Sequence, residues 1–125
     1  MHQAAAGERL LSAIAARDYA SIERCFEPNA RVEVLTPHEL RSHRSAEEVA
    51  ARYRYWLQPL DEFTVLESDA VPIADRVRIR YLFRGRDERG GWQLNEHTGY
   101  AAVEDGLIVS LTVTCAGFRP TPAPA

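Results

Sequence analysis

From Arg76 to Arg86 the chain reads RVRIRYLFRGR, an alternation of large apolar side chains with arginine broken only at Leu82 and Gly85. A side-chain period of two belongs to an extended strand, not a helix. It places Val77, Ile79, Tyr81 and Phe83 on one face and the arginines on the other. A strand of this kind needs neighbours that bury the same face. The rest of the second half supplies them. LIVSLTVTC alternates again, with Leu107, Val109, Leu111, Val113 and Cys115 expected inward and Ser110, Thr112 and Thr114 outward. Between these two segments a Gly-rich turn at Asp87–Gly91 leads into a strand over Trp92–Val103, and a further strand is expected over Glu62–Ser68. Four antiparallel strands account for the region.

The first half carries the helical signals. Leu10, Leu11, Ile14 and Ala15 recur at helical spacing between Ala5 and Arg17. Asp18 is placed as the N-cap of a short second helix, YASIERCF, closed by Pro28-Asn29. RVEVLT reads as a half-buried strand with Val32 and Val34 on one face. PHELRSHR follows as a polar loop. Ser45 with Glu48 forms a capping box for a third helix over Ala46–Leu57, whose inner face carries Val49, Tyr53 and Trp56 or Leu57. Helices, a strand, a helix and then a run of strands define an α+β fold. One domain over residues 1–118 and a Pro-rich disordered tail over 119–125 are expected.

Composition narrows the function. With 46% apolar residues in 125, the core needs no disulfide staples. A formal charge of −3 argues against a general nucleic-acid binder. Cys25 and Cys115 form no CxxC pair, and a reduced pair is the simpler reading. The N-terminal MHQAAAGERLLSAIAARDY lacks a basic n-region, so it is not read as a signal peptide, and no stretch has the apolar length of a membrane span. A soluble cytoplasmic protein without membrane partners is the expectation.

The chemistry concentrates on WQLNEHTGYAAVEDG, Trp92 to Gly106, where Asn95 and His97 occupy positions that would normally carry Val or Ile. A two-residue hairpin loop would pair His97 with Thr114. A three-residue loop, with Gly106 left-handed, pairs His97 with Val113 and Asn95 with Cys115, and is preferred because it brings apolar residues together. Asn95, His97, Gly99, Ala101 and Val103 then point inward, with Tyr81 opposite or one step diagonal to His97. An imidazole can donate or accept a proton near neutral pH, and burial would hold it neutral. Tyr81, Tyr53 and Asn95 could hold a carbonyl or enolate oxygen. The alternative is a core histidine satisfied by Tyr or Asn, and no carboxylate orients the ring.

His38 falls on the inward parity of Val32, Val34 and Thr36 and is placed at a pocket rim. A metal set of His38, Glu39 and His43 lacks supporting residues, so solvated loop residues are expected and no metal. Arg76, Arg78, Arg80, Arg84 and Arg86 form an outer ridge whose expected partners are cross-strand acids such as Glu96, or a dimer contact. Leu82, Tyr100 and Ile108 are assigned to that outer face, which reads as an interface. Cys115 is read as a small core residue.

The strings ARDYASIERCFEPNARVEV, SAEEVAARYRYWL and GYAAVEDGLIVSLTV, with the strand order, resemble the nuclear transport factor 2-like superfamily over about Glu8 to Phe118. The resemblance implies a cone-shaped α+β barrel, in which a curved antiparallel sheet wraps around three N-terminal helices. It also implies a pocket between them and homodimers through the outer sheet face. Ketosteroid isomerase residues mostly do not carry over. Val34 replaces the Asp base, Leu10 and Gly99 stand at the oxyanion-hole positions, Phe26 replaces a supporting Tyr, and Tyr53 alone is kept. The Asp-Arg-Asp set of the epoxide hydrolases is missing. SnoaL-like cyclases resemble the chain in a His on the strand before the last, but their Asp on the last strand has no counterpart in Leu107–Cys115. The resemblance therefore implies a cofactor-independent isomerase, cyclase or dehydratase acting on a small hydrophobic, polyketide-like or terpenoid molecule. His97 would be its acid/base, with Tyr81, Tyr53 and Asn95 orienting. Val34, Thr36, His38, Trp56 and Ile79, and with them Phe83, Leu111, Val113 and Cys115, would line the pocket. The alternative is a non-catalytic binding or assembly domain.

Overall fold

The computed structural model describes residues 3–125. Helices α1 (Gln3–Ala15) and α2 (Tyr19–Arg24) precede strands β1 (Phe26–Leu35) and β2 (Leu40–His43). Helix α3 (Ala46–Leu57) follows, then β3 (Glu62–Ile73), β4 (Arg76–Arg86), β5 (Trp92–Glu104), β6 (Leu107–Cys115) and β7 (Arg119–Pro120). The architecture is α+β, with one sheet in the order β2-β1-β6-β5-β4-β3 and β7 paired to β5. No helix among the described residues is long and apolar enough to cross a membrane.

The expected caps are present. The Asp18 carboxylate accepts from the Ser21 amide, and the Ser45 hydroxyl accepts from the Glu48 amide. Arg17 turns left-handed (φ 52) after α1, and its guanidinium donates to the carbonyls of Leu57 and Leu60 at 3.1 and 2.6 Å. That tethers the end of α1 to the end of α3.

Four expectations need correction. The sheet is mixed rather than antiparallel, because β1 runs parallel to β6. β1 starts at Phe26, so the second helix stops at Arg24. Pro28 is accommodated where the β1–β6 register shifts between Phe26 and Arg31. The segment expected as a polar loop contains β2, an edge strand paired with β1 from Val32↔His43 to Leu35↔Leu40. Its polar residues read as a loop, yet an edge strand is where polar residues are favoured. Finally, the tail is not free of structure from its start: Arg119 and Pro120 pair with Leu94 and Gln93.

The last hairpin follows neither register considered above. Its turn has two residues, Asp105 (φ 51) and Gly106 (φ 79), and the pairing jumps from Val103↔Ile108 to Ala102↔Ser110. Val109 is thus an extra residue on β6, a bulge that shifts the strand by one position. Beyond it His97 faces Cys115, Gly99 faces Val113 and Ala101 faces Leu111. The bulge also turns Ile108 inward, fully buried in the core, instead of outward as expected, and leaves Leu107 and Val109 half-buried.

Inner-face residues of β1, β4, β5 and β6 meet Leu10, Ile14, Ile22, Val49, Tyr53 and Leu57 of the helices in one core. On the outer face most of the arginines have acidic partners, while Arg84 lies over the Trp92 ring. Arg80 bonds Glu96 at 2.6 Å and Glu67 at 3.1 Å, and Arg78 lies 3.6 Å from Asp69.

Candidate active site

β4 and β5 pair Tyr81 with His97 and Phe83 with Asn95, as the alternation implied. Tyr81 Oη lies 2.6 Å from His97 Nδ1 in a buried hydrogen bond. The His97 ring also meets Trp56 edge-on at 5.7 Å between centroids and Phe83 at 6.1 Å. Three aromatic side chains therefore set the ring plane, with the Tyr81 hydroxyl fixing one nitrogen. No hydrogen bond to Nε2 is found among the described residues, and the ring lines the cavity described below.

Burial shapes the titration of this cluster. Desolvation lowers the His97 pKa to about 4, so the ring is neutral at physiological pH. Desolvation also raises the Tyr53 phenol to about 12, partly countered by its interaction with Tyr81. Tyr81 is driven well above its ordinary value, by burial first and then by the neighbouring Tyr53. Both phenols therefore stay protonated and each keeps a proton to donate. Protonating His97 at pH 7 would cost about 4 kcal/mol, since each pKa unit is worth about 1.4 kcal/mol. A neutral ring that accepts from Tyr81 at Nδ1 presents Nε2–H as a donor. If it donates to Tyr81 instead, Nε2 is an acceptor. The tautomer thus decides between polarising a carbonyl and abstracting a proton.

The cluster lies against a cavity of about 500 Å³, within the range of small-molecule sites. Of the residues expected there, Thr36, His38, Trp56, Asn95, His97 and Cys115 line it. The Cys115 thiol donates to Asn95 Oδ1 at 3.5 Å, which satisfies that buried amide in part. Tyr53, Val34 and Val113 lie beside it, around a void of about 10 Å³ that also touches Trp56 and His97. Tyr81, Phe83, Ile79 and Leu111 are buried in the core and do not line the cavity. For Ile79 the reason is α1, which fills that end of the cone. A Cβ on Gly7 would sit 3.2 Å from Ile79 Cγ1, so helix and sheet are already in contact. Phe83 shields the cluster from behind, stacked on Tyr81 at 6.1 Å.

Pro37, Arg41 and Ala116–Phe118 also line the cavity without being singled out by the sequence, and so does Glu39, weighed there only as a metal ligand. Phe118 packs edge-on to Phe83 at 5.8 Å, and Gly117 (φ 86) passes so close to Pro37 that a Cβ would meet its ring at 2.8 Å. The segment after β6 thus forms a wall of the cavity, and an aromatic residue just before a Pro-rich tail was the available signal. His43, expected in a solvated loop, is 8% exposed because β2 pairs its backbone with Val32. Among the described residues no group of His, Cys, Asp or Glu is placed to hold a metal ion. Both cysteines are free thiols.

Comparisons with known proteins agree with this architecture. The family described as SnoaL-like domain matches residues 8–111. No curated protein matches the chain. Among solved structures, a candidate polyketide cyclase from Streptomyces antibioticus superposes with a TM-score of 0.74 at 17% identity, covering 92% of both chains. A candidate polyketide cyclase from Xanthomonas campestris gives 0.75 at 12% identity, over 90% of this chain and 89% of its own. An LEH-like epoxide hydrolase from M. tuberculosis gives 0.68 at 14%, over 90% and 81%. At such identities the likeness is one of fold.

Proposed function

The chain belongs to the SnoaL-like domain family, and from that premise we propose that it is a cofactor-independent enzyme acting by proton transfer on a small hydrophobic molecule held in the cavity beside His97. The observation that carries the proposal is the 2.6 Å Tyr81–His97 hydrogen bond set against a cavity of about 500 Å³. Isomerisation, cyclisation and dehydration share one need, which is to stabilise negative charge on a carbonyl-derived oxygen while a neighbouring C–H or C–O bond changes. A neutral imidazole backed by an undissociated phenol is suited to that task in a dry site. Asn95 stands next on the same strand face, held by Cys115. The candidate cyclases among the structural neighbours support a polyketide-like substrate.

The low pKa of His97 makes the free enzyme a weak base. An anion developing in the cavity would raise it, so proton abstraction and charge stabilisation would be coupled. The test is α-hydrogen exchange. In deuterated buffer, aromatic 1,3-diketones should incorporate deuterium faster with the protein than without it. His97→Asn should abolish the acceleration while still binding the diketone. Equal exchange with His97→Asn would remove His97 from the chemistry.

A second reading is favoured by a specific observation: among the described residues no carboxylate is hydrogen-bonded to the His97 ring. In this reading the fold binds a small molecule without turning it over, and the diketones would bind without exchange. We also infer that two copies meet through the outer sheet face, where Leu66 is 42% and Tyr100 48% exposed.

A further inference from the structure

His43 is the anomaly that the proposed site leaves unused. It is 8% exposed, and its Nε2 is sealed from solvent without a hydrogen-bond partner. On the facing helix the Nε of Arg52 is in the same condition. The Arg52 guanidinium lies 5.0 Å over the Tyr55 ring and 6.0 Å over Trp56, which covers the Nε end of the guanidinium. A buried polar nitrogen without a partner costs about 1–3 kcal/mol, so two side by side call for a common cause.

Both residues border the same void of about 10 Å³ between the sheet and α3, whose polar lining is completed by Tyr53 and His97. That is room for one water molecule and for nothing larger. An internal water needs two to four polar partners, and this void offers them. His43 also borders the open groove on the other side, shared with Arg41, Glu48 and Arg52, so it stands between the void and bulk solvent.

We propose that this void is a site for one ordered water that accepts from Arg52 Nε–H and donates to His43 Nε2, making His43 a positioning residue of the His97–Tyr81–Tyr53 cluster. The remaining proton of the water is directed to the Tyr53 hydroxyl or the His97 ring, both of which border the void. Tyr53 interacts with Tyr81, and Tyr81 bonds His97. A line of exchangeable groups therefore runs from the outer groove to His97 Nδ1, and a proton delivered there is matched by one released from Nε2 on the other side of the ring. No net redox change or bond to carbon is involved. The charged groups facing His43 are Arg52 and Glu48 from α3 and Arg41 from its own strand.

The assignment of a catalytic role to His97 rests on the reading above, whereas the water site does not, and the experiment separates them. A crystal structure of the unliganded full chain, at a resolution that orders internal waters, should show one density peak within hydrogen-bond distance of both His43 Nε2 and Arg52 Nε. An empty void, or either nitrogen bonded to a protein group instead, overturns the site. The link to His97 is read by NMR of protein labelled with ¹⁵N in the histidine rings. His43→Leu should change the His97 ring-nitrogen shifts, and His43→Gln, which keeps a polar end, should restore them towards wild type. His97 shifts unchanged in His43→Leu overturn the positioning role. Neither measurement depends on turnover.

Discussion

Burial of the His97 imidazole ties the stability of this protein to pH, and burial of His43 lowers its pKa too and acts in the same direction. The His97 pKa is about 4 in the folded chain against 6.5 for the ordinary side chain. Between those values the unfolded chain binds a proton that the folded one refuses, so stability falls as pH drops through 6.5 towards 4 and is fully retained above 6.5. The shift corresponds to roughly 3 kcal/mol lost by pH 4. Denaturant titrations at a series of pH values should show this slope in wild type and a flatter one in His97→Val. The same variant should lose about 1–3 kcal/mol at pH 7, because Tyr81 is left with an unpaired buried hydroxyl. Equal slopes would mean that His97 titrates normally. Much of this residue's setting was legible in sequence: the alternation around it sets its inward direction, and the short Gly-rich turn between β4 and β5 brings Tyr81 opposite. The approach of His43 and Phe118 was not legible. One depends on a four-residue polar edge strand and the other on a chain segment with no periodicity, and neither leaves a pattern in a local window.

Among the elements, α1 and the β5–β6 hairpin set how the sheet closes. Helix α1 lies so close to β3 and β4 that a Cβ at Gly7 would meet Ala70 Cβ at 2.9 Å and Val77 Cγ1 at 3.2 Å. Those neighbours are short or buried and cannot swing away. Gly7→Ala should therefore lower stability by about 1–3 kcal/mol despite alanine's better helix propensity, as a lowered Tm would show. The hairpin shows where sequence reasoning stops. Matching apolar faces governs the pairing, but the register is not constant along the strand. The chain achieves the match with a two-residue turn followed by the bulge at Val109. A bulge changes parity midway along a strand, so Ile108 and Leu111 can both point inward although they are three residues apart. Deleting Val109 removes the extra residue and joins Val103↔Ile108 and Ala102↔Ser110 in one continuous register, with Leu111 and Val113 still inward. The expected result is a variant that still unfolds cooperatively by circular dichroism, whereas inserting a further residue at that point should slip the strand and abolish cooperativity.

At the scale of the whole molecule, exposed apolar residues stand on the outer sheet face among paired charges. Leu66 and Tyr100 stand exposed while the arginines around them are largely engaged with Glu67, Asp69 and Glu96. If two copies associate there, Leu66→Glu with Tyr100→Glu should convert a dimer into a monomer by light scattering, leaving the circular dichroism spectrum intact. A wild-type monomer at working concentration would dispose of the interface.

The parallel seam between β1 and β6 bears on how the protein is made. A ribosome delivers β1 early, with an open flank, and β6 among the last strands, so the early half must wait for almost the entire polypeptide before its central gap is filled. Contacts spanning such distances along the chain form slowly. Nascent chains halted before residue 107 should therefore be sticky and chaperone-bound, and the hollow beside His97 comes into being only with the closing of the sheet.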